Sequence, residues 1–239
     1  MQLIETWHTF TLDFLESLLS RQSQQHVTTL IVCASKTTFL EQIISPLYEA
    51  SELHHTDSAM QTGSPNVDVD HPELHASHVS ILEPILRSLA TSQKVKLVFC
   101  PTLAVLRGYL SAYNAHNITQ RGCLSDAKTQ LIVLDLLALH HGTSEFSLQG
   151  LSRTLAAAVS AAYHSEADLK LVECKNIHDP TDPNRGPTLW DAEIALLNRS
   201  VKLGGEGSRW ATRSVSVRKV ASRWFAFEEQ PVENPSEKQ

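Results

Sequence analysis

Glycine is scarce in this chain: nine in 239 residues, and none before Gly63. A loop that wraps its backbone N–H groups around a triphosphate needs several glycines, so nothing ahead of Gly63 can form a P-loop. Cysteine is equally thin. Cys33, Cys100, Cys123 and Cys174 never fall within four residues of one another, which excludes a zinc knuckle or a redox pair written in local spacing. Three of them end apolar runs, as buried thiols in a reducing compartment do. No apolar run is long enough to span a bilayer, and Glu5, Asp13 and Glu16 interrupt the amino-terminal stretch, which excludes a signal-peptide core there. There is no H-E-x-x-H and no G-x-S-x-G, and the pairs His54-His55 and His140-His141 are adjacent residues that point apart. Twenty basic against 26 acidic residues give a net charge of -6, too mild for a polybasic nucleic-acid binder.

What is present is an alternation of strands and helices. An apolar content of 42% supports one sizeable core, and residues 1–228 are expected to form a single domain. Leu3, Trp7, Phe10, Phe14, Leu15 and Leu18 recur at threes and fours and predict an amphipathic helix over residues 2–20. Val27 to Ala34 reads as a strand, and Ser35 as the N-cap of a helix from Lys36 to about Tyr48. Residues 51–72 are polar and read as a flexible insertion, followed by a helix over 79–89. A strand from Val95 to Cys100 precedes a helix over Thr102 to Tyr113. Gln130 to Asp135 is a continuous apolar run ending in one acid, the pattern of a central parallel strand that delivers a carboxylate to its carboxyl end. An alanine-rich helix to Tyr163 and a strand from Leu169 to Cys174 follow. Beyond a loop with Pro180, Pro183 and Pro187, the alternation around Ile194, Val201, Val215, Val217 and Trp224 to Phe227 predicts closing antiparallel strands. Residues 229–239 read as a flexible acidic tail.

The candidate sites lie at strand ends and in one basic region. Ser35-Lys-Thr-Thr38 has the end of a P-loop without its glycines, so Lys36 is a surface lysine at a helix start unless Ser35, Lys36, Thr37 and Asp135 keep a degenerate nucleotide contact. Asp135 is either a metal-holding acid or an N-cap or loop anchor, and without a phosphate cradle the second reading is preferred. Cys174, between Glu173 and Lys175, is a weak nucleophile candidate. From Arg199 to Arg223 seven basic residues face Glu206 alone, with Trp210 and Trp224 among them, as a phosphate-binding surface requires and as a solvated sheet edge also allows.

The stretch Leu131 to Leu139 resembles the Walker B strand of the RecA-like recombinases and their paralogues. His141 to Arg153 resembles the loop that follows it, the first DNA-binding loop of that family, and Leu169 to Asn176 resembles the next core strand, leading to a second loop over Lys175 to Thr188. The resemblance implies an α/β, RecA-like three-layer core with a mostly parallel central sheet and antiparallel C-terminal strands. Without P-loop glycines it implies a degenerate, ATPase-inactive member with no cofactor and no resident metal. Such members assemble with other RecA-like subunits, as in Shu-type complexes that promote homologous recombination, or in Elongator, which serves transfer-RNA modification. The expectation is therefore a non-catalytic subunit of the nucleus or cytoplasm that binds partner subunits and DNA, or else RNA, and no membrane. Lys175, Arg185, Arg209, Arg213, Arg218 and Lys219 would touch phosphates. The rivals are an Elongator-type scaffold and an α/β enzyme of another class acting at the strand carboxyl ends.

Overall fold

The computed structural model describes residues 2–6, 8–21, 26–57, 92–120, 128–196 and 214–228. Six parallel strands form the central sheet: β1 (Gln2–Glu5), β2 (His26–Val32), β3 (Val95–Phe99), β4 (Lys128–Leu134), β5 (Ala167–Val172) and, at one edge, β8 (Ala226–Glu228). Their order across the sheet is β3-β2-β4-β5-β1-β8. A second, two-stranded antiparallel sheet joins β6 (Glu193–Ala195) to β7 (Ser214–Ser216). The helices are α1 (Thr11–Arg21), α2 (Lys36–Asp57), α3 (Leu103–Gln120), α4 (Leu136–His140), α5 (Leu148–His164) and α6 (Val217–Ala221), with a short 3-10 helix at Pro187–Asp191. The architecture is α/β, three layers deep, with the antiparallel pair towards the C-terminal end.

Alternate residues along each strand feed two cores, one per sheet face. Leu30, Val32, Ile132 and Leu134 pack with Phe14 and Leu18 of α1 and Phe39 of α2. Ile31, Leu131, Val133 and Leu171 face the other way, into a larger core with Leu106 of α3 and Leu155 of α5. A strand buried on both faces cannot alternate apolar with polar, and this is why β4 reads as an unbroken apolar run.

Three expectations are corrected by this arrangement. Residues 2–20 are not one helix: Gln2–Glu5 is a strand held between β5 and β8, and only Thr11–Arg21 is helical. The Asp13 carboxylate accepts the Phe10 N–H at 3.1 Å and starts α1 there. The closing region keeps the expected antiparallel strands as one pair, β6 with β7, but does not go on as a meander. Ser216 caps α6 by accepting the Lys219 N–H, and Val217, Val220 and Ala221 bury one helical face. The chain then returns as β8 parallel to β1, on the main sheet. Ser51 to Asp57, assigned to the insertion, continues α2 through Pro46. The rest of the insertion, the helix expected over 79–89, Val201 and the tail lie outside the described residues.

Candidate functional site

Parallel register sets the site. Leu134 of β4 pairs with Val172 of β5 and with Val32 of β2, so Cys33, Asp135 and Glu173 leave three adjacent strands side by side. Asp135 has left-handed backbone, φ 61 and ψ 39, where Asp costs less than most residues, and this bends the chain from β4 into α4. Its side chain makes no capping bond. Instead Oδ1 accepts the Cys174 N–H at 2.9 Å, and Oδ2 receives the Arg185 guanidinium at 2.7 Å. Asp135 is therefore the anchor of the proline-bearing loop, with both oxygens engaged by that loop and its strand.

Glu173 does what the N-cap would have done. Its Oε1 accepts the Leu137 N–H at 2.6 Å and its Oε2 the Ala138 N–H at 3.3 Å, closing the first turn of α4 from the neighbouring strand. Two buried carboxyls beside one guanidinium cannot both ionise at low cost. Burial raises both from their ordinary values. The Arg185 charge pulls Asp135 back, whereas the Asp135 charge pushes Glu173 further up. Asp135 is the ionised partner of an always-charged guanidinium, and Glu173 keeps its proton to higher pH than a free carboxyl. Burial likewise pushes the Cys33 and Cys174 thiols up, with both acids adding to it, so neither is a ready nucleophile.

The loop after β4 is closed by a second network. His140 is fully buried: Nδ1 lies 3.1 Å from the Glu145 carbonyl and Nε2 lies 3.0 Å from the Thr154 hydroxyl. A carbonyl only accepts, so Nδ1 carries the proton and the neutral ring accepts from Thr154. Burial brings this imidazole down to about 4, with the nearby Arg107 charge adding to it against the raising pull of the Glu145 carbonyl and carboxylate. Arg107 joins Glu145 at 2.7 Å, the Thr154 hydroxyl at 3.0 Å and the Gly150 carbonyl at 3.1 Å. Gly150 is required by contact: a Cβ there would fall onto the Glu145 carbonyl.

At the far end of β1, burial alone would raise the Glu5 carboxyl. Hydrogen bonds from His8 at 3.1 Å and Lys170 at 2.6 Å, with the lysine charge, instead lower it to about 2.

The nucleotide candidates split. Ser35 caps α2, accepting the Thr38 N–H at 3.1 Å, and Lys36 and Thr37 are exposed on the first turn, while Asp135 is buried one strand away. The turns from β1, β2, β3 and β4 into their helices contain no glycine. Of the nucleic-acid candidates, Arg185 is held by Asp135, and Arg218 is paired with Asp191 at 2.9 Å and lies 4.5 Å over the Phe227 ring. Lys219 is exposed and Lys175 half-buried. Arg209 and Arg213 lie outside the described residues. Glu173 and Arg185 complete the Asp135 site. For Glu173 the signal was available, an acid ending the strand beside the one that ends in Asp135.

Among the described residues no group of three or more His, Cys, Asp or Glu is arranged to hold a metal ion. No described helix is long and apolar enough to cross a membrane. The model of the SPAC22G7.03-like family matches residues 9–237, from the turn before α1 into the C-terminal tail. The chain belongs to the SPAC22G7.03-like family. No curated protein and no solved structure matches this family member.

Proposed function

We propose that this chain is a non-catalytic, RecA-like subunit of a hetero-oligomeric complex, acting in the nucleus or cytoplasm to promote homologous recombination through partner and DNA binding. The observation that carries the non-catalytic half is the fate of Asp135. A cation at this strand end would have to share Asp135 with the Arg185 guanidinium, which already stands 2.7 Å from one oxygen while the Cys174 N–H bonds the other. The glycine-free turns offer no phosphate cradle beside it.

Partner binding is supported by exposed apolar residues on one side of the sheet. Leu40, Ile44 and Tyr48 recur at fours along α2, and Leu97 is exposed on the edge strand β3. For nucleic acid the described part contributes Lys219 and Lys175. Arg185 and Arg218 are each committed to an acid of the same chain, so Arg209 and Arg213 carry more of the proposal than the sequence alone assigned them.

Two measurements test the proposal. Proteins that co-purify with the full chain should include RecA-like subunits, and the complex should bind single-stranded DNA with an affinity that falls steeply with salt. Reversing Lys175, Arg209, Arg213 and Lys219 together should abolish that binding without changing assembly. ATP turnover by the pure chain, abolished by Asp135→Ala, would overturn the non-catalytic reading. Recovery of Elongator subunits, with binding to transfer RNA in place of DNA, would move the chain to the scaffold role.

A further inference from the structure

Of the six large apolar side chains exposed among the described residues, five lie along one edge of the sheet. Leu40, Ile44 and Tyr48 are on α2, Leu97 on the edge strand β3 and Val105 on α3, and Tyr163 of α5 is the sixth. α2 lies on the sheet face to which Val95 and Phe99 point, and alternation puts Leu97 there as well; α3 lies on the opposite face, with Val98. Along α3, Ala104, Gly108 and Ala112 recur at fours beside Val105, all exposed, and a Cβ on Gly108 would meet nothing within 4 Å.

β3 has one side to spare. The Thr28 N–H donates to the Lys94 carbonyl at 3.0 Å, and the Cys100 N–H to the Val32 carbonyl at 2.8 Å. In a parallel ladder these bonds fix the rest. Lys94, Lys96, Val98 and Cys100 turn their backbone groups to β2, while Val95, Leu97 and Phe99 turn theirs outward, where no described strand pairs with them. An open, mostly apolar edge is a template for another chain.

We propose that this edge is the interface of a two-fold dimer, its occupant being β3 of a second copy of this chain, running antiparallel. Antiparallel strands exchange N–H and C=O bonds pairwise, and one register sets all three outward residues opposite outward residues: Leu97 against Leu97 on the axis, and Val95 against Phe99. That register puts Lys96, the one charged residue of the strand, against Val98 and not against another lysine. The flanking helices then meet their own kind, α2 through its apolar stripe and α3 through its small one, where short side chains let the two axes come close. Charge favours the same occupant. From Leu40 to Tyr48 the one charged residue is Glu41, and from Leu103 to Ala112 it is Arg107, already bound to Glu145. A surface this poor in charge gives an oppositely charged partner little to hold and a copy of itself little to repel it. The contact also closes, because the two-fold uses up this edge on both chains. The inference rests on the partner-binding reading above and names the occupant of that face.

The test is sedimentation equilibrium of the full chain alone, from about 1 to about 100 µM, where a dimer should form. Leu97→Arg sets two guanidinium groups together on the axis and should weaken the dimer about a hundredfold. Gly108→Leu adds a side chain where the single chain has open space, and should weaken it about tenfold without harm to the fold. Tyr163→Lys, at the exposed apolar residue away from this edge, should change nothing. Amide exchange at Val95, Leu97 and Phe99 should slow as the chain is concentrated. A chain that stays monomeric at about 100 µM, or a dimer indifferent to both Leu97→Arg and Gly108→Leu, would overturn the proposal. If that monomer still loses its co-purifying proteins through Leu97→Arg, the second copy is overturned and the partner-binding reading stands. A monomer whose melting temperature falls by several degrees in Leu97→Arg would assign the edge to a segment of the chain itself, and overturn the dimer as well.

Discussion

Two loops leave the carboxyl ends of the adjacent strands β4 and β5, and each is tied back to the molecule by a buried titratable side chain. The loop after β5 is tied by charge, Arg185 on the Asp135 carboxylate. The loop after β4 is tied by a neutral ring, His140 between the Glu145 carbonyl and the Thr154 hydroxyl. The first anchor fails when its partner is removed, because a buried charge is then left alone. The second fails when a proton is added, because the charged imidazolium would be buried, and beside the Arg107 guanidinium. The stretches that resembled a metal site and a DNA-binding loop are thus both closed by their own residues, through opposite electrostatics.

Removing the charged anchor should have the largest effect. Arg185→Ala leaves Asp135 buried without its counter-ion and should cost about 3–5 kcal/mol in urea unfolding. Replacing both residues, Asp135→Asn with Arg185→Met, should cost clearly less than the single change. A double variant as unstable as Arg185→Ala would show that packing, not charge, holds the loop.

The neutral anchor should show itself in acid. The His140 imidazole falls from its ordinary value of 6.5 to about 4, so the unfolded chain binds the extra proton first. The associated stability is complete above about 6.5 and is lost as the pH falls towards 4, a change on the order of 3 kcal/mol. Measured against His140→Gln, the wild-type advantage should shrink through that window. An advantage independent of pH would mean that burial does not lower the His140 imidazole, and would undo the contrast between the two loops.

Gly150→Ala attacks the same loop without charge. The added methyl must displace the Glu145 carbonyl, and a loss of about 1–3 kcal/mol is expected, with Arg107 freed from its bond to Glu145. An unchanged melting temperature would mean that the loop is looser than its bonds imply.

How much of this was legible depends on how local each cause is. The central strand was read correctly because burial on both faces leaves an apolar run that needs no partner to recognise, and β4 ends one residue before Asp135. Ser35 and the start of α2 were equally local. Residues 2–5 were misread because Leu3 and Trp7 fit a helical spacing, while pairing with β5 and β8, across more than 160 residues of chain, decides for strand. The strands at Val215 and Phe227 were read as strands, but Val217 was misread: it alternates with Val215, yet Val217, Val220 and Ala221 also share a helical face, and the Ser216 cap selects the second pattern. No spacing announces that Arg185, fifty residues on, will meet Asp135. That contact exists only once β4 and β5 stand abreast.

The smallest expected effect belongs to Glu173, the acid that neither loop needs as a charge. Its carboxyl is raised by burial and by Asp135, so wild-type stability is penalised as the pH climbs above the ordinary carboxylate value of 4.5. In Glu173→Gln the amide oxygen can still accept the Leu137 N–H, but its NH2 faces the Ala138 N–H, and the two changes offset. At pH near 5 the variant should lie within about 1 kcal/mol of wild type, and the difference should move in its favour as the pH rises. Paired melts at acid and alkaline pH decide the point. A variant that loses ground with rising pH would mean that Glu173 is ionised in the folded chain, and that α4 is capped by a charge after all.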